Sequence, residues 1–510
     1  MNILIPKPNG KYEEKPGQFL AASLNSISLG GFSREAVTAF ERRMGLGLPE
    51  NDAAALRLVI DKSFSAEGYR LCVDESGIVV RAGSELGVIW ALTSLFSLKK
   101  DSAFPFVTIE DAPRYGHRGF MLDCSRHFFP AAVVKEIIEQ NSLVKLNVFH
   151  WHLSDDQGWR IESDSFPKLM AEGEPYFTKD EIREVVAFAK ERGVEVIPEI
   201  DMPGHTLAIS CAYPELCCKG EAPNPAYVGG IYETILCAGR EETYTFIKTL
   251  LDEISPLFES EYFHIGGDEV PKTEWESCPH CQAKLQSLGY SDFEDLQGYF
   301  NCEVSAHLKK LGKIPMGWND VLKSSVRPEN IVIQHWSEMS AYDNTRPFLA
   351  SGGSIIMSDV FSLYFDYDEY FTCLRKVYEF EPCIKGDCLA DHAGLMGIQA
   401  CLWTERVIEP QTLYGRAYPR TFALAEAAWT KERSYEDFEK RLETKLESLT
   451  QKGIGFIPIA RSNPDADERL TGIMEFLMLF SAASEEGRAP TLDPEMVKEY
   501  LAGFGIEIPQ

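Results

Sequence analysis

From about residue 114 onward the chain returns eight times to a compact apolar run, and most of these runs precede a stretch long enough for a helix. The runs are Gly119–Cys124, Asn147–Leu153, Val194–Ile200, Tyr262–Gly266, Ile314–Gly317, Ile331–His335, Ser354–Met357 and Gly397–Leu402. Between them, Pro130–Leu143, Lys179–Arg192, Thr243–Leu257 and Phe293–Leu311 carry apolar residues at three- and four-residue steps, the mark of an amphipathic helix. Eight strands buried on both faces and alternating with helices are what a (β/α)8 barrel requires. A doubly wound open sheet is the rival, but no G-x-G-x-x-G or P-loop follows the first strand. The expected fold is therefore α/β, with a barrel over residues 113–431.

Two further units flank that barrel. Residues 1–112 read as a small α/β domain. In it, Tyr69–Val73 and Gly77–Arg81 alternate around the turn residues Asp74-Glu75-Ser76, a hairpin pattern, and Ser84–Leu98 has helical periodicity. Asp111-Ala112-Pro113 reads as the linker. Residues 432–510 form a helical extension whose apolar stretch, Leu470–Phe480, is expected to pack on the barrel exterior.

The ends of the runs carry the chemical information. Ser125-Arg126-His127 follows the first, and His150-Trp151-His152 within the second leads to Ser154-Asp155-Asp156. Glu199, Asp201 and Pro203-Gly204-His205 close the third, and Gly267-Asp268-Glu269 the fourth. Trp318-Asn319-Asp320, Trp336-Ser337-Glu338 and Trp403-Thr404-Glu405 close the fifth, sixth and eighth. Capping by chance explains one or two such ends, not seven. In a barrel the carboxyl ends of the strands form the active face. Carboxylates, histidines and indoles gathered there describe a sugar pocket, with ring faces for pyranose C–H surfaces and charged groups for hydroxyls. Asp268-Glu269 is the candidate carboxylate pair for acid–base work. In extended backbone, adjacent side chains point to opposite faces, so the two are not expected to flank one glycosidic bond as acid and nucleophile.

Other partners and cofactors are not expected. The formal charge of −28 repels phosphate backbones and anionic lipid, and no apolar run is long enough to span a bilayer. His150, His152 and His205 stand near carboxylates but lack H-E-x-x-H spacing, so no metal is expected. Cys278-Pro279-His280-Cys281 is half of a zinc motif, and Cys383 and Cys388 are too far apart to complete it. Cys124 and Cys401 lie in apolar runs and read as core thiols. Thirteen cysteines, an odd count without framework spacing, and no visible secretory signal point to a reducing cytoplasm.

At these residues the chain resembles glycoside hydrolase family 20, the β-N-acetylhexosaminidases. The likeness rests on HRGFMLDCSRHF (117–128), KLNVFHWHLSDDQGWR (145–160), PEIDMPGH (198–205), HIGGDEV (264–270), GWND (317–320) and LWTE (402–405). It extends over about residues 65–430, and GYRLCV and GVIWALTSL resemble the small domain that precedes the barrel in that family. The resemblance implies an exo-acting, retaining hydrolase of terminal β-linked GlcNAc or GalNAc that uses the substrate's own 2-acetamido oxygen as nucleophile. It implies Glu269 as general acid/base, Asp268 as the stabiliser of the acetamido group, and Asp155 and His205 as a supporting relay. Arg126 and Glu405 would hold ring hydroxyls. In SLYFDY (362–367), Tyr364 would donate to the acetamido carbonyl and Asp366 would bind an outer hydroxyl, while Trp318, Trp336 and Trp403 would wall the pocket. Two alternatives stand beside this: a relative with another donor preference (disaccharide-releasing, or acting on a 6-sulfated sugar), and a catalytically silent sugar-binding protein. The partner in each case is a carbohydrate.

Overall fold

The computed structural model describes residues 3–337, 344–485, 498 and 501–505. Glu338 lies outside them, as do the side chains of residues 477–485. All eight runs are strands: His117–Asp123, Val148–His152, Glu195–Glu199, Tyr262–His264, Ile314–Trp318, Val332–His335, Ser354–Met357 and Leu395–Leu402. They pair in parallel in chain order, and the last closes on the first through Gly397 opposite His117. Every residue of His117–Asp123 is buried, which is why the strands read as continuous apolar runs.

Side chains two apart share a strand face, and this parity layers the barrel interior. Val148, Ile197, Met316, Val332 and Ile356 form an apolar floor. One step up the same strands stand His150, Glu199, Trp318 and Gln334, all buried. The odd member of the second run, Trp151, faces outward into the core beneath the helices, where its indole N–H meets the Cys124 sulfur at 3.3 Å. His150 therefore belongs to the barrel interior and not to the open face expected for it.

The N-terminal domain is a six-stranded mixed sheet with the hairpin Tyr69–Asp74 and Gly77–Ala82 at its centre. Helix Glu85–Leu98, capped by the Ser84 hydroxyl, packs on it. Asp111, expected in a linker, ends a strand and is buried. It accepts hydrogen bonds from Tyr69 Oη and Lys145 Nζ at 2.8 Å each on one oxygen, and from Trp429 Nε1 at 2.8 Å on the other. Arg118, from the first barrel strand, ion-pairs with Glu67 and lies 4.9 Å from the Trp429 ring. A linker would leave the two domains free to move. Here buried ion pairs and indoles join them, and breaking such a pair strands an uncompensated charge.

In the extension, helix Tyr435–Lys452 joins the barrel core through Tyr435, Phe438, Leu442 and Leu446, and Arg441 pairs with Glu426 below it. Helix Ala466–Glu485 meets the barrel's loops through Ile473 and Phe476, both against Phe371, whereas Leu470 and Met474 are exposed. Among the described residues no helix is long and apolar enough to cross a membrane.

Candidate active site

The carboxyl ends of the strands bring the candidate residues together. After strand Tyr262–His264 the chain turns through Gly266 (φ 67°) and Gly267 (φ 90°) into Asp268 and Glu269 (φ 48°). A Cβ on Gly266 would lie 1.7 Å from Asp201 Oδ1, so only glycine lets this turn close over that carboxyl group. Glu269 is left-handed rather than extended, which overturns the expectation that the pair would point to opposite faces. Both carboxylates approach the same imidazole nitrogen, Asp268 Oδ2 at 3.7 Å and Glu269 Oε2 at 3.6 Å from His205 Nε2. The two carboxylates thus stand side by side at His205.

Behind it runs a chain of alternating charge. His205 Nδ1 stands 3.1 Å from Asp155 Oδ1, and Asp155 Oδ2 takes His152 Nε2 at 2.8 Å and Arg126 Nη2 at 2.8 Å. His152 Nδ1 then meets Glu199 Oε2 at 2.6 Å. Glu199, fully buried, also receives Trp318 Nε1 at 2.8 Å, with His264 Nδ1 at 2.8 Å and His150 Nε2 at 3.0 Å. Burial works against its charge, but His264, His152 and His150 together hold its carboxyl well below the usual range. Burial likewise opposes a charged His205, yet Asp155 raises it well above the usual imidazole value. Asp268 is pushed up to about 7 by burial, with Asp320 and Glu269 adding to the rise and the charge of His205 opposing it. Asp201, buried next to Asp268, is raised well above the carboxylate range by burial and by that neighbour.

Four aromatic rings enclose the space in front. Trp336 and Tyr364 lie nearly parallel with centroids 6.3 Å apart, Trp318 and Trp403 are 5.8 Å apart, and Tyr364 and Trp403 are 6.2 Å apart. Asp320 orients this wall, accepting Trp336 Nε1 at 2.8 Å and the Glu269 backbone N–H at 3.2 Å. The Arg126 guanidinium lies 4.9 Å from the Trp403 ring. Glu405 helps to hold Arg126 charged, while burial and Glu405 push Asp366 up to about 7. Nine of the eleven residues singled out in the sequence are joined by these contacts, and Glu405 and Asp366 stand within electrostatic reach of them. Four of their buried polar atoms, Arg126 Nη1, His205 Nε2, Asp268 Oδ1 and Asp366 Oδ1, have no hydrogen-bond partner among the described residues. Such atoms are costly unless a ligand satisfies them.

Two features were not read from the sequence. One is the Glu199 hub, although its two-residue offset from Ile197 marks it as inward-facing. The other is the partner pair of Cys278 and Cys281, which is Cys218 and Cys237 rather than Cys383 and Cys388.

Comparison with known proteins agrees with this architecture. The catalytic-domain model of glycosyl hydrolase family 20 matches residues 115–432, and the model of that family's domain 2 matches residues 2–112. The β-hexosaminidase of Porphyromonas gingivalis is 33% identical over 432 residues, 77% of this chain and 55% of that protein, so the chain spans little more than half of this relative's length. The β-hexosaminidase of Vibrio furnissii is 33% identical over 469 residues, 83% of this chain and 76% of its own. The exo β-N-acetylglucosaminidase of Vibrio harveyi, solved with N-acetylglucosamine, superposes with a TM-score of 0.80 at 30% identity, covering 89% of this chain and 78% of that one. The N-acetyl-β-hexosaminidase of Streptomyces plicatus, solved with Thio-NAglucal, gives 0.78 at 28% identity, covering 89% and 96%. With both family domains matched in order and the strand-end residues assembled into one pocket, the chain belongs to glycosyl hydrolase family 20 and is a glycoside hydrolase.

Proposed function

We propose that this enzyme removes terminal β-linked N-acetylhexosamine from glycans, with retention, using the substrate's 2-acetamido oxygen as nucleophile. The observation that carries this reading is the approach of Asp268 and Glu269 to one imidazole nitrogen. Direct displacement with retention needs two carboxyl groups about 5 Å apart on opposite sides of the anomeric carbon. A pair on one side serves a different division of labour. Glu269 gives its proton to the leaving oxygen as the acetamido carbonyl oxygen bonds to C1. Asp268, as an anion, accepts a hydrogen bond from the acetamido N–H and stabilises the charge growing on the oxazolinium. Tyr364, within electrostatic reach of Asp268, donates to the acetamido oxygen and orients it. Water then attacks C1, gives a proton to Glu269 and reopens the ring.

Arg126, Glu405 and Asp366 hold ring hydroxyls in this reading, and the indoles of Trp318, Trp336 and Trp403 wall the sugar and its acetamido methyl. Purified enzyme tested on a panel of 4-nitrophenyl glycosides should cleave the β-N-acetylglucosaminide or β-N-acetylgalactosaminide and leave β-glucoside and β-galactoside intact. Release from the unacetylated sugars at a comparable rate would refute the reading. We place the enzyme in a reducing compartment, the cytoplasm, a reading supported by none of the thirteen cysteines being joined in a disulfide.

The pH profile tests the relay. Catalysis needs Asp268 ionised, so kcat/KM falls as pH drops through its pKa. The positive charge of His205 holds that pKa down. His205→Ala should therefore move the acidic limb to higher pH, and Asp155→Asn, which loosens the hold on His205, should move it the same way. Superimposable profiles for wild type and His205→Ala would reduce His205 to packing.

A further inference from the structure

Away from the sugar pocket, four cysteines from three segments converge. The sulfurs of Cys218, Cys237, Cys278 and Cys281 all lie within 4.8 Å of one another. Cys237 Sγ is 3.5 Å from Cys281 Sγ and 3.8 Å from Cys278 Sγ, and Cys218 Sγ is 3.8 Å from Cys281 Sγ. A disulfide holds its sulfurs about 2.0 Å apart. Thiolates bound tetrahedrally to zinc at about 2.3 Å stand about 3.8 Å from one another. The spacing is that of the tetrahedron edge.

The backbone is arranged for the same purpose. Cys278 precedes helix Pro279–Leu288 and Cys281 lies in its first turn, where the helix dipole favours thiolate. Cys218 and Cys237 come from two segments that pair antiparallel at Cys217 and Leu236. Just beyond Cys237, a Cβ on Gly239 would fall 2.1 Å from the carbonyl carbon of His280, so only glycine lets the two knuckles approach this closely. Cys237, Cys278 and Cys281 are buried, which suits a closed structural centre better than a dithiol that must meet a redox partner.

We propose that Cys218, Cys237, Cys278 and Cys281 form a closed tetrahedral zinc site that pins the loop 219–236 to the segment following the catalytic pair. This departs from the expectation that the chain holds no metal. The loop's two ends meet that segment at further points: Trp275 Nε1 donates to Leu236 O at 2.9 Å, and Glu274 Oε1 accepts Lys219 Nζ at 2.7 Å and Thr234 Oγ1 at 3.0 Å. Its far side reaches the sugar pocket, where Val228 O accepts from Gln157 Nε2 at 2.8 Å and Gly229 packs against Glu405. Gln157 in turn accepts from Arg126 Nε at 3.2 Å. Soft thiolates in a tetrahedron select zinc or iron, and zinc needs no redox partner. Binding releases the remaining thiol protons to solvent.

Metal analysis of the full chain, purified from zinc-replete cells, should find about one zinc ion per chain. A mercurial thiol reagent should release that zinc, and cobalt substituted for it should show thiolate-to-metal charge-transfer absorption. Cys237→Ser with Cys281→Ser should abolish zinc binding, whereas Cys72→Ser should keep it. Stripped protein should be cut faster by protease within 219–236 and be protected again when zinc is restored. Wild-type protein without zinc, carrying iron in its place, or showing disulfides among these four cysteines by intact mass overturns the proposal. So does a loop whose cleavage rate ignores zinc. Since occupancy is read on the wild-type chain, variants that fail to fold do not obscure the answer. Nor does it depend on which sugar the enzyme cleaves.

Discussion

Substrates in which a hydroxyl replaces the 2-acetamido group are expected to show no measurable turnover. The carbonyl oxygen of that group is the proposed nucleophile, held next to C1 by Tyr364 and Asp268. Intramolecular positioning of a reacting group contributes on the order of 7–11 kcal/mol. Asp268 and Glu269 share the His205 nitrogen, so in this reading neither takes over as a direct nucleophile. Stepwise fluorination of the acetamido methyl should slow cleavage progressively as the carbonyl oxygen loses basicity. A thiazoline that mimics the cyclic intermediate should bind far more tightly than the product sugar, since it resembles the charged species the site stabilises. Asp268→Asn should lower kcat by about 10²–10³-fold, the scale for losing one electrostatic contact to developing charge. A glycosyl ester trapped on any Asp or Glu would overturn the mechanism while leaving the hexosaminidase reading standing.

Glu269→Gln is expected to separate substrates by leaving group. A general acid contributes typically 10²–10⁴-fold, and nearly all of that is lost where the departing alcohol is a poor leaving group, as in a natural glycan. With 4-nitrophenolate, which leaves without protonation, formation of the intermediate should be nearly unaffected. Its breakdown still needs a base to activate water, so added azide should speed turnover of the aryl glycoside and leave the glycan rate low. Equal losses on both substrates, with no azide rescue, would remove Glu269 from the acid role. The Glu269 side chain is about one-third exposed, whereas Asp268 beside it is about 13% exposed. That difference suits a group that must exchange protons with solvent next to one that must remain within the pocket.

Strand order, barrel closure and the hairpin of the first domain were legible because each follows from local periodicity. A strand buried on both faces needs a continuous apolar run, and a surface helix needs apolar residues every three or four positions. The residue types of the pocket were legible for a related reason. Arg126, Asp155, His205, Trp318 and Trp403 interrupt or follow apolar runs where a closed core would exclude them. The long-range partnerships were not. Asp111 sits in a D-A-P sequence that reads as a linker, and only the arrival of Lys145 and Trp429 from the barrel makes it a buried anchor.

The sequence by itself therefore determined the class of fold, the face that carries the chemistry and the family to which the chain belongs. Tertiary structure alone decided three things. It set Glu269 in the left-handed conformation after the Gly266-Gly267 turn over Asp201, with both carboxylates beside His205. It linked Glu199 through His152 to Asp155 and His205, joining interior and rim of the barrel across separate strands. And it brought Cys218 and Cys237 to a C-x-x-C that looked solitary along the chain. Periodicity reports which way a side chain faces within its own element. Which atoms it meets depends on how separate elements pack, and spacing along the chain carries no record of that.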